Sequence, residues 1–284
     1  MNMTASEKTT HIERFGRHGA WGWFGAFSPD QAQEIERLGY GTIWLGGSPK
    51  HLGPIRKVLE ATQHITVATG IVNIWNTDAA AIAGEYHELE KDFPGRFYLG
   101  IGAGHPEATA EYTTPFQAVS NYLDVLDKHD VPVDRRLLAA LGPRMLRLSG
   151  QRALGAHPYL TTPAHTRTAR EILGADVLLA PEHKVVVNTD PVAARAVGRP
   201  PVDQPYLHLR NYTSNLKRLG YTDADVDNGG SDKLIDALVA HGDAAAVRTQ
   251  VDEHLAAGAD HVAIQVLGSD TPTIQLAQII GAGS

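Results

Sequence analysis

The stretch from Leu137 to Tyr159 has clear potential for chemistry, because a predicted strand there runs directly into a helix. The apolar run Leu137–Leu141 predicts a buried strand, and Gly142 permits a tight turn. Pro143 suits the first helical turn, where its missing N–H would have no intrahelical partner. The free N–H groups of such a helix start attract anions, and Arg144 adds a positive charge beside them. The sequence therefore indicates an anion site, and a packing turn that holds no ligand is the alternative.

A second candidate is His105, which follows the apolar run Phe97–Ile101 and precedes Glu107. Histidine titrates near neutral pH, so His105 is a candidate general acid or base. The alternative is an ordinary surface histidine. The preceding glycines resemble a dinucleotide-binding fingerprint, but His105 stands where its third glycine would be, and the motif follows the fourth strand instead of the first. A Rossmann fold is therefore not supported.

The elements that position these residues alternate between apolar runs and helical patterns. Eight β-α repeats with short connections indicate a parallel sheet closed into a (β/α)8 barrel, with an open doubly wound sheet as the alternative. We expect a tail over residues 1–18, one barrel domain over residues 19–284, and a mostly helical insertion, Pro191–Gly258, between the seventh and eighth strands. The predicted strands are Ala20–Phe24, Thr42–Leu45, Thr66–Val72, Phe97–Ile101, Leu137–Leu141, Ala156–Tyr159, Lys184–Asn188 and His261–Leu267.

In a barrel of this kind the active site lies at the carboxyl ends of the strands, so the strand list predicts a site list. Glycine recurs at these ends, which suits a flat, bulky ligand lying against the backbone; the alternative is that the glycines simply end strands. The strand ends comprise Phe24 and Gly25, Gly46–Ser48, Gly70–Asn73, Gly102–Glu107, Leu141–Met145, His157–Thr161 and Asn188.

The composition excludes several classes of function. The net charge of −7 without a basic block disfavours a nucleic-acid partner. The chain has no cysteine, and no apolar run approaches the roughly 20 residues that span a bilayer, so we expect a cytoplasmic protein with no membrane partner. Neither an HExxH metal motif nor a GxSxG nucleophile motif is present, and we expect no metal.

Four blocks of sequence together resemble a known family: TGIVNIW, FYLGIGAGH, LLAALGPRML and GAHPYLTTPAHT. In this order they are similar to the luciferase-like flavin and deazaflavin oxidoreductases, and in particular to an actinobacterial subgroup that uses the deazaflavin coenzyme F420. The similarity covers roughly residues 19 to 281. It implies a (β/α)8 barrel with an insertion, a homodimer, and reduced deazaflavin as a hydride carrier.

The resemblance also implies roles for single residues. A non-prolyl cis peptide against the central ring of the cofactor would be Gly70–Ile71, and Asn73 would bond the polar edge of that ring. The phosphate of the cofactor would lie on the helix start. The candidate cofactor-binding set is Gly70, Ile71, Asn73, Gly102, Leu141, Gly142, Pro143, Arg144, Met145, His157 and Tyr159.

The sequence departs from the family pattern at two positions. Sugar-phosphate dehydrogenases of the family carry a histidine at the second strand end, where this chain has Gly46-Gly47-Ser48, and a glutamate after the fourth strand, where it has His105. That activity is therefore disfavoured, and the catalytic candidates are His105 as proton donor and, more weakly, Ser48.

Three functions follow as hypotheses. The first is hydride transfer between F420 and a small organic substrate, which insertion residues such as Tyr206, Arg210 and Tyr212 would select. The second is an FMN-dependent monooxygenase, because FMN shares the tricyclic ring and the phosphate. The third is a binder of F420 without catalysis.

Overall fold

The computed structural model describes residues 11–104 and 114–283. The strands are β1 (His18–Trp23), β2 (Thr42–Gly46), β3 (Thr66–Thr69), β4 (Val72–Asn73), β5 (Phe97–Gly102), β6 (Arg136–Leu138), β7 (Gly155–Ala156), β8 (Leu178–Leu179), β9 (Glu182–Val187), β10 (Val239–Gly242) and β11 (Val262–Val266). The helices are α1 (Pro29–Arg37), α2 (Gly53–Ala61), α3 (Ala79–Asp92), α4 (Pro115–Lys128), α5 (Pro143–Arg152), α6 (Pro163–Leu173), α7 (Pro191–Asp203), α8 (Arg210–Arg218), α9 (Asp223–Val226), α10 (Asp232–Leu238), α11 (Ala244–Ala256) and α12 (Pro272–Gly281).

Several helix starts are fixed by side-chain caps. The hydroxyl of Ser28 accepts the N–H of Gln31, and the Gln31 side chain accepts the N–H of Ser28 in return, which is a capping box at the start of α1. Asp78 caps α3, and Thr162 caps α6. These caps satisfy N–H groups that have no intrahelical partner, so they stabilise the helix starts where these residues lie.

The strands pair in parallel in the order β10-β9-β11-β1-β2-β3-β5-β6-β7-β8, with β4 pairing β5 beyond the end of β3. Segment 178–187, which comprises β8 and β9, closes this sheet. On one side Ala180 and Glu182 donate to the carbonyl groups of Ala156 and Pro158, next to β7. On the other side Ala263 of β11 donates to the carbonyl of Pro181. Segment 178–187 therefore joins the two ends of the sheet. The predicted (β/α)8 barrel is confirmed, and the alternative of an open sheet is wrong.

The amino end of the barrel is filled by aromatic side chains. Phe15 and Trp44 are fully buried and pack against each other, with ring centroids 5.8 Å apart. The indole N–H of Trp44 donates to Nε2 of His261 at 2.9 Å. Residues 11–18, which the sequence analysis assigns to the tail, include Phe15 and the first residue of β1, so this part of the tail packs into the barrel.

The predicted strands Leu137–Leu141 and Ala156–Tyr159 extend further than the observed β6 and β7, and β8 is not among the predicted strands. Two other differences concern the bulge and the insertion. The third strand ends at Thr69, because residues 70 and 71 bulge out of the sheet before β4 resumes the pairing. The insertion contains a strand, β10, which runs parallel to β9 and lies beside it. Its four residues follow α10 without a break, and the mostly apolar segment Leu234–Ala240 has no pattern that separates helix from strand. In the described part of the chain, no helix is long and apolar enough to cross a membrane.

Candidate functional site

A cavity of about 490 Å³ lies at the carboxyl ends of the barrel strands, where the sequence predicts the site. Residues that end or follow β1, β2, β3, β5, β6 and β7 form its base, and the insertion covers one side. The described lining contains no Asp, Glu, Lys or Arg side chain. It consists of Trp21, Trp23, Gly47, Ser48, Gly70, Ile71, Ala103, Gly104, Pro115, Ala139, Ala140, Leu141, Gly142, Met145, His157, Tyr159, Pro205, Tyr206, Asn211 and Tyr212.

The bulge after β3 forms one wall of the cavity. The Gly70–Ile71 peptide is cis, as the resemblance implies, and both residues line the cavity. Thr69 repairs the pairing that the bulge interrupts: its hydroxyl accepts the N–H of Gly100 at 2.7 Å and donates to the Gly100 carbonyl at 2.8 Å. A Cβ at Gly100 would lie only 1.9 Å from the Thr69 carbonyl oxygen, so this close approach requires glycine.

The floor of the cavity carries two polar ring atoms, Nε1 of Trp21 and Nε2 of His157. Both atoms are buried, and neither has a hydrogen-bond partner among residues 11–104 and 114–283. The His157 ring stacks on Trp44, with centroids 4.0 Å apart and planes 10° apart. Burial lowers the pKa of His157 to about 4, so the imidazole is neutral at pH 7.

The start of α5 opens onto another part of the cavity. Gly142 is the residue before the helix, no side chain of the described chain caps this start, and Leu146 makes the first intrahelical bond, to the Gly142 carbonyl. Leu141, Gly142 and Met145 line the cavity, whereas Pro143 and Arg144 are exposed beside it. The guanidinium of Arg144 lies 4.2 Å over the ring of Phe116, measured from Cζ to the ring centroid.

A second positive charge, which the sequence analysis missed, lies near this helix start. A guanidinium nitrogen of Arg218 is 3.9 Å from the position of a Cβ built on Gly142. The same nitrogen donates to the side-chain oxygen of Asn215 at 3.2 Å. Arg218 ends α8, in the insertion, and nothing in its local sequence distinguishes it from the neighbouring Lys217.

Tyr159 and aromatic residues of the insertion form another wall of the cavity. Tyr159 contacts Tyr206, with ring centroids 5.3 Å apart, and Tyr206 contacts Tyr212 at 4.9 Å. Behind them the ammonium group of Lys184 lies 3.9 Å from the Tyr159 ring centroid, and it pairs with the carboxylate of Glu182 at 3.0 Å. Burial raises the pKa of Tyr159 well above its ordinary value, so this wall is uncharged. Of the insertion residues named from the sequence, Tyr206 and Tyr212 line the cavity and Arg210 does not.

The remaining candidate residues lie in different places. Ser48 lines the cavity and has φ of +53°. Asn73 does not line it: its side-chain oxygen accepts the N–H of Trp75 at 3.0 Å, in the loop after β4. Gly102 lies beneath the wall, where a Cβ would meet Ala139 at 2.8 Å. His105 lies outside the described residues.

A closed parallel barrel with a ligand-sized cavity at its carboxyl end is the arrangement of (β/α)8-barrel enzymes. Within the described ranges, no group of three or more His, Asp or Glu side chains could hold a metal ion.

Comparisons with known proteins show which (β/α)8-barrel proteins this chain is similar to. Residues 26–129 match the model of the luciferase-like monooxygenase family, so the predicted similarity to luciferase-like proteins is confirmed for that segment. A comparison with curated protein sequences gave no match. An F420-dependent secondary alcohol dehydrogenase, solved with an F420–acetone adduct, is 15% identical with a TM-score of 0.70, over 94% of this chain and 97% of that one.

Two further structures have the same fold. The coenzyme F420-dependent tetrahydromethanopterin reductase from Methanopyrus kandleri is 15% identical with a TM-score of 0.65, over 92% of this chain and 97% of that one. The oxygenating part of 3,6-diketocamphane monooxygenase from Pseudomonas putida, solved with FMN, is 13% identical with a TM-score of 0.66, over 94% of this chain and 96% of that one. The described chain therefore has a luciferase-like barrel fold, and neighbours with this fold use either F420 or FMN.

Proposed function

We propose that this chain is an oxidoreductase that binds the deazaflavin F420 in the cavity and transfers a hydride between it and a small organic molecule. The observation that carries the proposal is that one cavity contains both the Gly70–Ile71 bulge and the uncapped start of α5. The bulge offers a flat backbone surface to a planar ring, and the helix start offers N–H groups to a charged tail. Two of the structures with the same fold are F420-dependent enzymes.

The residues at the helix start fit an anionic tail. The N–H groups of Arg144 and Met145 precede the first intrahelical bond, to the Gly142 carbonyl, and the guanidinium groups of Arg144 and Arg218 lie at the same end of α5. An ionised oxygen bonded to backbone N–H groups makes stronger hydrogen bonds than a neutral one. This site therefore anchors the cofactor and orients the ring toward the bulge.

The side chains and backbone groups of the protein mainly orient the cofactor and the substrate, and only a proton donor takes part in the reaction. When bound, the reduced deazaflavin supplies a hydride from C5, and orientation of donor and acceptor contributes much of the rate. We assign proton transfer to His105, which follows β5 in the sequence, and keep Ser48 as a weaker candidate. His105→Ala should reduce turnover at least about tenfold, given the usual value of a general acid or base. Unchanged turnover would remove His105 from the reaction.

The aromatic wall indicates the substrate class. Tyr206, Tyr212 and Trp23 offer apolar ring surface, and the described lining has no charged side chain to bind an ionic substrate. We therefore propose a neutral organic substrate of modest size, such as a ketone or an alcohol. We also propose that the protein acts in the cytoplasm as a homodimer, which light scattering of the purified protein and cell fractionation would test.

The test is a titration of the purified protein with F420 and with FMN, followed by turnover. We expect F420 to bind at least about tenfold more tightly and to be oxidised or reduced when a neutral ketone or alcohol is added. If FMN binds more tightly and the protein with reduced FMN consumes oxygen, the monooxygenase hypothesis replaces this one. Binding of F420 without hydride transfer to any acceptor would support the non-catalytic alternative, and no binding of either ring would refute the proposal.

A further inference from the structure

Two polar atoms on the cavity floor have a geometry that specifies what they can bind. Nε1 of Trp21 lies 2.9 Å, and Nε2 of His157 lies 3.0 Å, from the position of a Cβ built on Gly70. They therefore flank the same point, directly beside the bulge, and both lack a partner in the described part of the chain. A buried polar atom without a partner costs free energy unless a ligand or a water satisfies it.

The proton of His157 has a definite position. Its Nδ1 lies 2.7 Å from the carbonyl oxygen of Ala180, which can only accept, so Nδ1 carries the hydrogen and donates. The second nitrogen, Nε2, is then a bare acceptor, and the pKa of about 4 keeps it so over the neutral range. The stack on Trp44 fixes the plane of the ring.

The indole ring of Trp21 is also held in a fixed position, as the His157 ring is. Its N–H can only donate a hydrogen bond. Its six-membered ring occupies the space that a Cβ on Gly46 would need, 2.0 Å from the ring atom Cζ2. It also packs edge-on against Trp23, with centroids 5.3 Å apart, and against Tyr159 at 5.4 Å. The floor therefore presents one fixed donor, on β1, and one fixed acceptor, directly after β7.

We propose that Trp21 and His157 bind the imide edge of the cofactor ring, with the indole N–H donating to a ring carbonyl and Nε2 of His157 accepting the adjacent ring N–H. The pyrimidine end of both deazaflavins and flavins has a carbonyl beside an N–H, so the donor and acceptor match it. This inference rests on the proposed function, and it assigns the polar edge of the ring to these two residues in place of Asn73. The Asn73 oxygen is already occupied by the N–H of Trp75.

The experiment removes the hydrogen bond from the ligand and from the protein separately. FMN and the 8-hydroxy-5-deazaflavin ring compound are titrated by fluorescence, each with and without a methyl group on N3, which deletes the N–H. The wild type should bind each N3-methyl compound about tenfold more weakly, the usual effect of leaving a buried partner unsatisfied. His157→Phe should bind the parent rings about tenfold more weakly and should no longer distinguish the N3-methyl compounds.

The indole donor is tested with a matched pair of variants. Trp21→Phe deletes the N–H and should weaken both parent rings several-fold, whereas Trp75→Phe makes the same chemical change at a tryptophan outside the described cavity lining and should not. Thermal unfolding of each variant shows whether it is folded. If a variant is unfolded, the N3-methyl comparison on the wild type still decides, because it needs no substitution.

The outcomes separate this inference from the proposed function. If neither ring binds the wild type, both fall together. If the rings bind but N3-methylation and the variants at positions 21 and 157 have no effect, only this inference is overturned. A substrate hydroxyl could use the same donor and acceptor, and that arrangement would also leave ring binding unchanged. If Asn73→Ala abolishes the discrimination against N3-methyl rings and His157→Phe does not, the polar edge belongs to Asn73.

Discussion

Replacing Gly142 by valine would test the cofactor anchor without disturbing the fold. Gly142 has φ of −90° and ψ of 158°, a conformation that valine adopts readily. A Cβ there would have Arg218 as its nearest neighbour, at 3.9 Å, which is ordinary van der Waals contact. We therefore expect the free energy of unfolding to change by less than about 0.5 kcal/mol.

The effect on binding should be much larger. The new methyl groups would stand at the uncapped start of α5, in front of the N–H groups of Arg144 and Met145. A hydrogen bond to a charged group contributes about 1.5–3 kcal/mol, so the loss of one such bond to the tail predicts binding about 10- to 100-fold weaker.

The assay compares rings with and without a phosphate. FMN and riboflavin, and the corresponding deazaflavins, are titrated against the wild type and Gly142→Val by fluorescence, and thermal unfolding is recorded for both proteins. The phosphorylated rings should lose affinity and the phosphate-free rings should not. Equal losses for both would mean that the valine blocks the ring and not the tail, and no loss for either would refute the assignment of the anchor to this helix start.

Three further predictions test the surroundings of the site. Arg218→Gln should weaken binding of the phosphorylated ring a few-fold and reduce its salt dependence, measured by titration at low and high ionic strength; an unchanged salt dependence would exclude Arg218 from the anchor. Lys184→Met should destabilise the protein by about 3–5 kcal/mol in urea unfolding, because it leaves the Glu182 carboxylate buried without its partner; a loss below about 1 kcal/mol would contradict this. Burial lowers the pKa of His157 to about 4 and that of His261 to about 3, below the value of about 6.5 in the unfolded chain. The unfolded chain therefore takes up these protons first, and each histidine should reduce stability by about 1.4 kcal/mol per pH unit as the pH falls from 6.5 toward 4; a stability that stays constant over this range would refute the assignment.

The sequence predicts those features that depend on neighbours along the chain. The capping box of Ser28 and Gln31, the caps at Asp78 and Thr162, and the start of α5 at Pro143 all follow from residues within one helical turn. The alternation of strands and helices then indicates the barrel, because parallel strands joined by short crossovers close in few other ways.

The features that the sequence did not predict depend on contacts between distant residues. Arg218 reaches Gly142 only because α8 folds back over the barrel. Trp21 is one of four tryptophans, and no local pattern distinguishes its unpartnered N–H from the others. For Asn73 the family resemblance implies a contact with the ring, and the structure adds that its side-chain oxygen accepts the N–H of Trp75 in the local loop.

A comparison of two tryptophan–histidine pairs in the barrel supports the proposed binding role of the cavity floor. Trp21 and Trp44 are directly paired across β1 and β2, and both belong to the same buried cluster. The indole N–H of Trp44 donates to Nε2 of His261 at 2.9 Å, and the other nitrogen of His261 contacts the Gly16 carbonyl, so every polar atom of that combination is satisfied within the protein. Trp21 and His157 offer the same donor and the same acceptor in the cavity lining, but they are not bonded to each other. Trp44 and His261 form a hydrogen bond directly with each other. A ligand edge with one acceptor and one donor would instead accept from Trp21 and donate to His157. The two combinations therefore differ in whether the donor and the acceptor are bonded to each other, which only the folded barrel determines.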